Sequence, residues 1–318
     1  MEYCRLGRSG LKVSVLSFGT WVTVGKQIDD GMSRRCILQA VERGVNFFDH
    51  AEAYAMGQAE IVSGHILKEL RRESLVISSK VFWGGDGPND RGLSRKHVFE
   101  ACHAALKRLQ TDYLDLYFCH RPDPDTPVEE TVRAMDTLIQ QGKVLYWGTS
   151  EWNAMQLAEA YAVADRLNLT PPTMEQPQYN MFQREGVEVE LQPLIKLHGL
   201  GTTIWSPLAG GLLTGKYDDG IPAGSRASLE GMDWYQEELT EERRAKVRQL
   251  RAVADDLECS RAQLALAWAT KHPHVSTVIT GASHVNQLNE NLDALAVIPK
   301  LTDEVMDRIA TILNNEPS

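Results

Sequence analysis

The sequence predicts a single α/β domain over residues 1–318, built as a (β/α)8 TIM barrel. Short apolar strands alternate with helical segments along the whole chain, glycine stands where several helices should end, and polar residues follow nearly every strand. An open Rossmann-type sheet is the alternative, but it should carry Gly-x-Gly-x-x-Gly after its first strand. The sequence has Phe18-Gly19-Thr20-Trp21 there instead. We therefore prefer the barrel.

Eight buried strands account for the barrel wall. Helical patterns separate nearly all of them, which indicates parallel strands joined by crossover helices. The sixth has the weakest apolar pattern. The predicted strands are Val13–Phe18, Val45–Phe48, Leu75–Ser78, Tyr113–Phe118, Val144–Trp147, about Thr173–Gln176, Gly201–Trp205 and Val275–Ile279.

Helix ends are marked by residues that suit them. Thr126 and Pro127 offer a capping hydroxyl and a proline at the first helical position, and Ser260 with Gln263 forms a capping box for a helix around Leu264–Lys271. Glycine can adopt the left-handed conformation that stops a helix. It follows the predicted helices Ser33–Arg43 (Gly44), Glu129–Gln141 (Gly142) and Val189–His198 (Gly199).

Two segments depart from simple alternation. Tyr3–Leu6 and Leu11–Val13 flank Gly7-Arg8-Ser9-Gly10, which predicts a β-hairpin that could plug the floor of the barrel. After the seventh strand, Pro207 to about Glu238 is long and glycine-rich, without a clear helix. Loops of this length inside a compact domain are usually functional.

Composition excludes several classes of protein. A net charge of -10 argues against a nucleic-acid partner, because phosphate binding needs a basic surface. No signal-peptide core and no membrane-length apolar run is present. The five cysteines are scattered and contain no Cys-x-x-Cys pair, which predicts reduced thiols in a cytoplasmic protein and no metal site.

Polar residues at the ends of the strands indicate where the active site should lie. In barrel enzymes the active site is built at the carboxyl ends of the strands. Any one of these residues could be a solvated loop residue, but the whole set is hard to explain in that way. The set comprises Asp49, Lys80, His120, Ser150, Gln176 and Ser206, with Gly281-Ala282-Ser283 after the eighth strand.

Asp49, Tyr54, Lys80 and His120 together suit the reduction of a carbonyl group. Hydride transfer needs a proton donor at the carbonyl oxygen, and a tyrosine serves if its pKa of about 10 is lowered. A neighbouring ammonium lowers that pKa. We expect Lys80 to do this while Asp49 holds it charged, with Tyr54 bending over the barrel mouth and His120 orienting the carbonyl.

Two other interpretations of the same residues stay open. Asp49 and Lys80 can form a purely structural ion pair, with Tyr54 and His120 as bystanders. Lys80 can also be the Schiff-base nucleophile of a barrel lyase. That chemistry requires a lowered lysine pKa, which Asp49 would oppose. Spacing alone does not choose between the catalytic and the structural interpretation.

Six motifs resemble those of the aldo-keto reductase superfamily, and the similarity runs from Tyr3 to about Pro317. The motifs are Asp49-His50-Ala51-Glu52-Ala53-Tyr54, Ser79-Lys80, Cys119-His120-Arg121-Pro122-Asp123, Tyr146-Trp147-Gly148-Thr149-Ser150, Trp205-Ser206-Pro207-Leu208-Ala209 and Gly281-Ala282-Ser283. Three further stretches resemble the branch that contains voltage-gated potassium channel beta subunits and their plant and microbial relatives. They are Phe82-Trp83-Gly84-Gly85, Gly92-Leu93-Ser94-Arg95-Lys96-His97 and Glu129-Glu130-Thr131-Val132-Arg133-Ala134-Met135.

The resemblance implies a cytoplasmic NADPH-dependent reductase of small aldehydes and ketones, with a tetrad of Asp49, Tyr54, Lys80 and His120 and with Tyr54 as the general acid. It also suggests a homotetramer. NADPH would lie extended across the barrel mouth. The implied cofactor contacts are Thr20, Trp21, Gln27 and Asp49 at the nicotinamide, Ser150 and Gln176 at its carboxamide, Trp205 stacked on the ring, Ser206, Pro207, Leu208, Ala209, Lys216 and Arg226 at the pyrophosphate, and Gly281, Ser283, Gln287, Glu290 and Asn291 at the adenosine.

Two positions depart from the channel-subunit pattern, which has asparagine at position 120 and arginine at position 151. His120 restores the pattern of the wider reductase family and favours a working enzyme. Glu151 removes a positive charge near the implied cofactor path. Ser283 and Gln287 are the residues available for the 2′-phosphate, without an obvious basic partner. The alternative function is a nucleotide-binding accessory subunit of a potassium channel, with incidental turnover.

Overall fold

The computed structural model describes residues 1–228 and 233–317, and for residues 233 and 234 it describes the backbone alone. Eight parallel strands close into a barrel, which confirms the predicted fold. An antiparallel hairpin of β1 (Tyr3–Arg5) and β2 (Lys12–Ser14) precedes them. The barrel strands are β3 (Leu16–Gly19), β4 (Phe47–Asp49), β5 (Val76–Val81), β6 (Leu114–Cys119), β7 (Val144–Ser150), β8 (Met174–Gln176), β9 (Gly201–Ile204) and β10 (Thr277–Thr280), and β10 closes against β3.

Helices cover the outside of the barrel. Most of the core lies between them and the strands. They are α1 (Asp30–Glu42), α2 (Gln58–Leu67), α3 (Arg95–Leu109), α4 (Val128–Gln140), α5 (Ala154–Leu167), α6 (Gln192–His198), α7 (Asp233–Gln236), α8 (Glu241–Asp256), α9 (Arg261–Lys271), α10 (Val285–Asp293) and α11 (Asp303–Leu313). None of these helices is long and apolar enough to cross a membrane, as far as residues 1–228 and 233–317 show.

The hairpin closes the floor of the barrel, as predicted. Leu6 and Val13 are fully buried and belong to the smaller apolar cluster inside the barrel, with Phe47, Leu116 and Phe118. Val13 itself pairs with Cys4 in the hairpin, so the first barrel strand starts at Leu16 rather than at Val13. Because the hairpin fills the floor, the open end of the barrel is the opposite one, where Asp49 and Ser150 end their strands.

Several predicted helix boundaries were wrong, each for a local reason. The first helix starts at Asp30 instead of Ser33, because the Asp29 carboxylate caps it by accepting from the Met32 amide. Thr126 does not cap α4. Its hydroxyl donates to the carboxylate of Asp123 at 2.8 Å, and the helix begins after an extended Pro127. The capping box of Ser260 is confirmed.

The segments around the seventh strand also differ from prediction. The helix predicted over Val189–His198 is split into a π-turn at Gly186–Glu190 and α6, which carries a proline in its first turn. The long segment Pro207 to Glu238 is not devoid of helix. It contains 3₁₀ turns at Ala209–Thr214 and Arg226–Ser228, followed by α7, while residues 229–232 lie outside the described part of the chain.

Candidate active site

Asp49 is the centre of a buried hydrogen-bond cluster at the open end of the barrel. It ends β4, where its backbone pairs with Gly19 of β3. Its Oδ2 accepts from Lys80 Nζ at 2.6 Å, and its Oδ1 accepts from Ser78 Oγ at 2.9 Å and from Gln176 Nε2 at 3.2 Å. Side chains from β5 and β8 therefore converge on one carboxylate, because parallel strands place their carboxyl ends at the same rim.

Lys80 links Asp49 to Tyr54. Its fully buried Nζ donates to Asp49, to the backbone oxygen of His50 at 2.8 Å and to Tyr54 Oη at 2.9 Å. Burial lowers the pKa of Lys80, although Asp49 acts in the opposite direction. Because all three N–H groups have acceptors and the amine is inaccessible, Lys80 is poorly placed to attack a carbonyl as a Schiff-base nucleophile.

The expectation that the pKa of Tyr54 is lowered was wrong. Burial, followed by the charge of Asp49, raises the pKa of Tyr54 well above its usual value, and the opposing charges of Arg121 and Arg226 do not compensate. Tyr54 is therefore a neutral phenol at physiological pH. Since Lys80 donates to its oxygen, the hydroxyl hydrogen is left to donate to a ligand.

A tight turn holds Tyr54 over the barrel mouth. Ala55 and Met56 both have positive φ, 49° and 53°, which is costly for residues with a side chain. Gly57 follows with φ of 82°, and a Cβ there would lie 3.0 Å from Arg108 Cδ. Arg108 in turn pairs with the fully buried Glu60 at 2.6 Å, so the turn is braced from behind.

His120 follows β6 beside Tyr54. The two rings meet edge to face with centroids 5.8 Å apart. Burial, followed by the charges of Lys80 and Arg121, lowers the pKa of His120 well below its usual value, so the imidazole is neutral at physiological pH. Its Nδ1 is buried without a hydrogen-bond partner in the described residues. The structure therefore brings together all four residues that the sequence singled out, and a neutral imidazole stands beside the phenol.

A cavity runs from this cluster across the barrel mouth. Twelve of the eighteen residues implied for the cofactor line it, namely Trp21, Gln27, Asp49, Trp205, Ser206, Pro207, Leu208, Lys216, Arg226, Gly281, Ser283 and Gln287. Tyr54 forms part of the same wall. The cavity therefore joins the proposed proton donor to the glycine-rich segment after β9 and to the start of α10.

Six implied cofactor residues lie outside the cavity lining and already have protein contacts. Thr20, Ser150, Gln176 and Asn291 are buried and hydrogen-bonded to neighbouring groups. The backbone oxygens of Ala209 and Glu290 accept from Tyr235 and Gln263. These residues support the walls of the cavity in the structure.

Two cations face the cavity without a carboxylate partner in the described residues. Lys216 is exposed, with its Nζ 5.1 Å from the centre of the Tyr217 ring. The guanidinium of Arg226 lies 4.3 Å from the centre of the Trp21 ring, and its Nε is buried without a hydrogen-bond partner there. An anionic group such as a pyrophosphate fits a site of this kind.

Glu151 has a structural role that the sequence did not indicate. Its Oε1 accepts from Trp205 Nε1 at 2.8 Å and from the Gln178 amide at 2.7 Å, so it fixes one wall of the cavity. Trp205 then meets Trp21 edge to face at 6.0 Å. Sequence analysis missed this role, because Glu151 and Trp205 are 54 residues apart and no local pattern connects them.

The chain is similar in sequence to known proteins over its whole length. The sequence model of the Aldo/keto reductase family matches residues 15–314. A protein of Arabidopsis thaliana called "Probable voltage-gated potassium channel subunit beta" is 52% identical, covering 100% of this chain and 98% of its own length. A protein of Oryza sativa subsp. japonica with the same name is also 52% identical over the same shares. The chain therefore belongs to the aldo/keto reductase family.

Proposed function

We propose that this protein is an NADPH-dependent reductase that converts aldehydes and ketones of small metabolites to alcohols. The observation that carries the proposal is the hydrogen-bond chain from Asp49 through Lys80 to Tyr54, which ends in a neutral phenol on the cavity wall. A merely structural ion pair would not need a strained turn to hold a tyrosine against its lysine.

The four residues have distinct tasks in this proposal. A bound reduced nicotinamide would supply the hydride for the carbonyl carbon and would be oxidised by two electrons. Tyr54 donates its proton to the carbonyl oxygen, which completes the alcohol. Lys80 stabilises the phenolate that remains, Asp49 holds the ammonium, and neutral His120 orients the carbonyl oxygen before the proton moves.

The cavity residues suit a dinucleotide. Lys216 and Arg226 would hold the pyrophosphate together with the segment from Ser206 to Ala209. Trp21, Gln27 and Trp205 would enclose the nicotinamide. Ser283 and Gln287, which hydrogen-bond to each other through Gln287 Oε1, would take the adenosine end with its 2′-phosphate.

Steady-state oxidation of NADPH tests this proposal. The purified protein should oxidise NADPH in the presence of a panel of aldehydes, with stoichiometric formation of the alcohols. Absence of turnover across the panel, in a protein that binds NADPH, would contradict a reductase function. Retention of full turnover after Lys80→Met would also contradict the mechanism, since that change removes both the partner of Asp49 and the hydrogen bond to Tyr54.

The names of the relatives favour a second candidate function. Both are called potassium channel beta subunits, so an accessory subunit that binds nucleotide and turns over incidentally is the alternative. It predicts slow reduction of every aldehyde and, by analogy, a homotetramer that binds a channel. Rapid turnover of a small aldehyde would favour the reductase, and light scattering on the purified protein measures the oligomer.

A further inference from the structure

Arg121 is a cation at the active site to which the proposed mechanism gives no task. It follows His120 directly, and its Nη1 donates to the backbone oxygen of His120 and, at 3.3 Å, to Ser150 Oγ. Its guanidinium lies 5.3 Å from the centre of the Trp83 ring, and that ring meets the His120 ring at 4.9 Å. The Trp83 ring therefore contacts both the Arg121 guanidinium and the His120 ring of the His120–Tyr54 pair.

The charge of Arg121 is not neutralised within the described residues. Its Nε and Nη2 have no hydrogen-bond acceptor there, no carboxylate pairs with it, and the side chain is partly exposed. Four other partly buried arginines do have carboxylate partners: Arg72 with Asp115, Arg108 with Glu60, Arg184 with Glu188 and Arg261 with Asp218. An unpaired cation at the mouth of a site attracts anions, which matters in a chain of net charge -10.

The loop that carries Trp83, on whose ring Arg121 lies, is anchored by hydrogen bonds of its own. Trp83 forms an antiparallel bridge with Arg91, and the Gly92 amide donates to the oxygen of Phe82 at 2.9 Å. The Phe82 amide donates to the carboxylate of Glu52 at 2.7 Å, which anchors the start of this loop. A guanidinium that rests on an anchored ring loses less freedom when it binds an anion.

We propose that the substrates are carbonyl compounds that carry an anionic group, a carboxylate or a phosphate, and that Arg121 binds this group while the carbonyl lies between Tyr54 and His120. The proposal rests on the reductase function and adds a substrate class to it. The free Nε and Nη2 edge presents the planar fork that pairs with carboxylate or phosphate oxygens. Arg226 lies against Trp21 in the lining of the cavity and is left for the cofactor.

Matched pairs of substrates test the proposal. We expect kcat/KM for 4-carboxybenzaldehyde to exceed that for its methyl ester, because one hydrogen-bonded charge pair is gained, typically about 10- to 150-fold. The kcat/KM of glyceraldehyde 3-phosphate divided by that of glyceraldehyde gives the same comparison for phosphate. The pair with the larger ratio of kcat/KM identifies the preferred anionic group. Arg121→Met should reduce both ratios to near one. The ratio is the readout, since Arg121 also contacts Ser150 and its loss can change absolute rates.

Arg95→Met is the matched control. Arg95 also lies over an aromatic ring, Phe99 at 4.7 Å, and also donates to a hydroxyl, but on α3 at the outside of the barrel. It should keep the wild-type ratios. Wild-type ratios near one in both pairs, or ratios that survive Arg121→Met, would overturn the proposal.

A binding measurement separates this proposal from the reductase function. Tryptophan fluorescence of the NADP+-saturated protein is titrated with each member of the two pairs. Tighter binding of the anionic member that is lost in Arg121→Met supports the anion site. If the protein then reduces neither aldehyde, the reductase function alone is contradicted. Equal affinities in a protein that reduces both members overturn the anion site and leave the reductase intact.

Discussion

Replacing Tyr54 with phenylalanine removes one oxygen atom and, in the proposed mechanism, the general acid. Loss of a general acid typically slows a reaction roughly 10²–10⁴-fold, which corresponds to about 3–5 kcal/mol of transition-state stabilisation. The ring of Tyr54 keeps its edge contact with His120, and Lys80 keeps its hydrogen bonds to Asp49 and His50. We therefore expect the loss in kcat/KM with little change in the affinity for NADPH.

The effect of the same substitution on stability should be smaller. Lys80 loses one of its three acceptors, and a hydrogen bond to a charged group contributes about 1.5–3 kcal/mol at most. Tyr117→Phe is a matched control. Tyr117 is also a buried tyrosine with one hydrogen bond, from its hydroxyl to the oxygen of Val98 at 3.2 Å, but it faces α3. It should lose some stability and no more than a few-fold in activity.

The assays are kcat/KM for a good aldehyde, a fluorescence titration with NADPH, and urea unfolding of the wild type and both variants. The raised pKa of Tyr54 adds an expectation for pH: deprotonation of the phenol should not end reduction until the pH exceeds the usual range of tyrosine. Activity of Tyr54→Phe within a few-fold of that of Tyr117→Phe would refute the general-acid role. An alkaline loss of activity near pH 8 that Tyr54→Phe abolishes would refute the raised pKa.

Three further predictions concern the cofactor and the folded state. Lys216→Ala should weaken NADPH binding about tenfold. If nucleotide release limits turnover, stopped-flow traces of the wild type should show a burst of NADPH oxidation, and this burst should be smaller in the variant. Wild-type traces without a burst would make chemistry the slow step. NADPH should bind more tightly than NADH through Ser283 and Gln287, and equal dissociation constants in a fluorescence titration would contradict this. Burial raises the pKa of Glu175 to about 8, so the native state holds a proton that the unfolded state releases near pH 4.5. The free energy of unfolding should therefore fall as the pH rises between these values, by at most about 1.4 kcal/mol per unit, and Glu175→Gln should remove that slope in urea unfolding.

The sequence predicted the barrel and the meeting of Asp49, Lys80 and His120 because both depend on local rules. Strand patterns repeat every two residues, helices end at suitable residues, and parallel strands share one rim. These rules place side chains from distant parts of the chain at the same end of the barrel without any knowledge of packing. They do not fix a boundary to the residue, which is why Val13 was assigned to the barrel instead of the hairpin.

What the sequence could not predict depends on contacts between distant residues. The residue types of Ala55 and Met56 do not indicate two consecutive left-handed residues, and the close approach of Gly57 to Arg108 beside them involves residues far apart in the sequence. The direction of the pKa shift of Tyr54 also depends on burial, which outweighs the charges around it. Glu151 was interpreted only by comparison with the arginine of the channel-subunit pattern, while its partner Trp205 lies two strands further along the chain.

The pKa shifts at the rim suggest a division of labour among the charged groups. Burial costs Lys80 and Asp49 their hydration, and their direct contact offsets this only in part, since the pKa of Lys80 remains lowered. A buried ion pair is therefore weak evidence of a contribution to stability. Its role is better inferred from the groups that it contacts. It touches Tyr54, whose hydrogen bond from Lys80 strengthens as the phenol loses its proton. The tetrad therefore stabilises the transition state more than the ground state in the proposed mechanism. Arg121, whose charge is unpaired, determines which substrates bind.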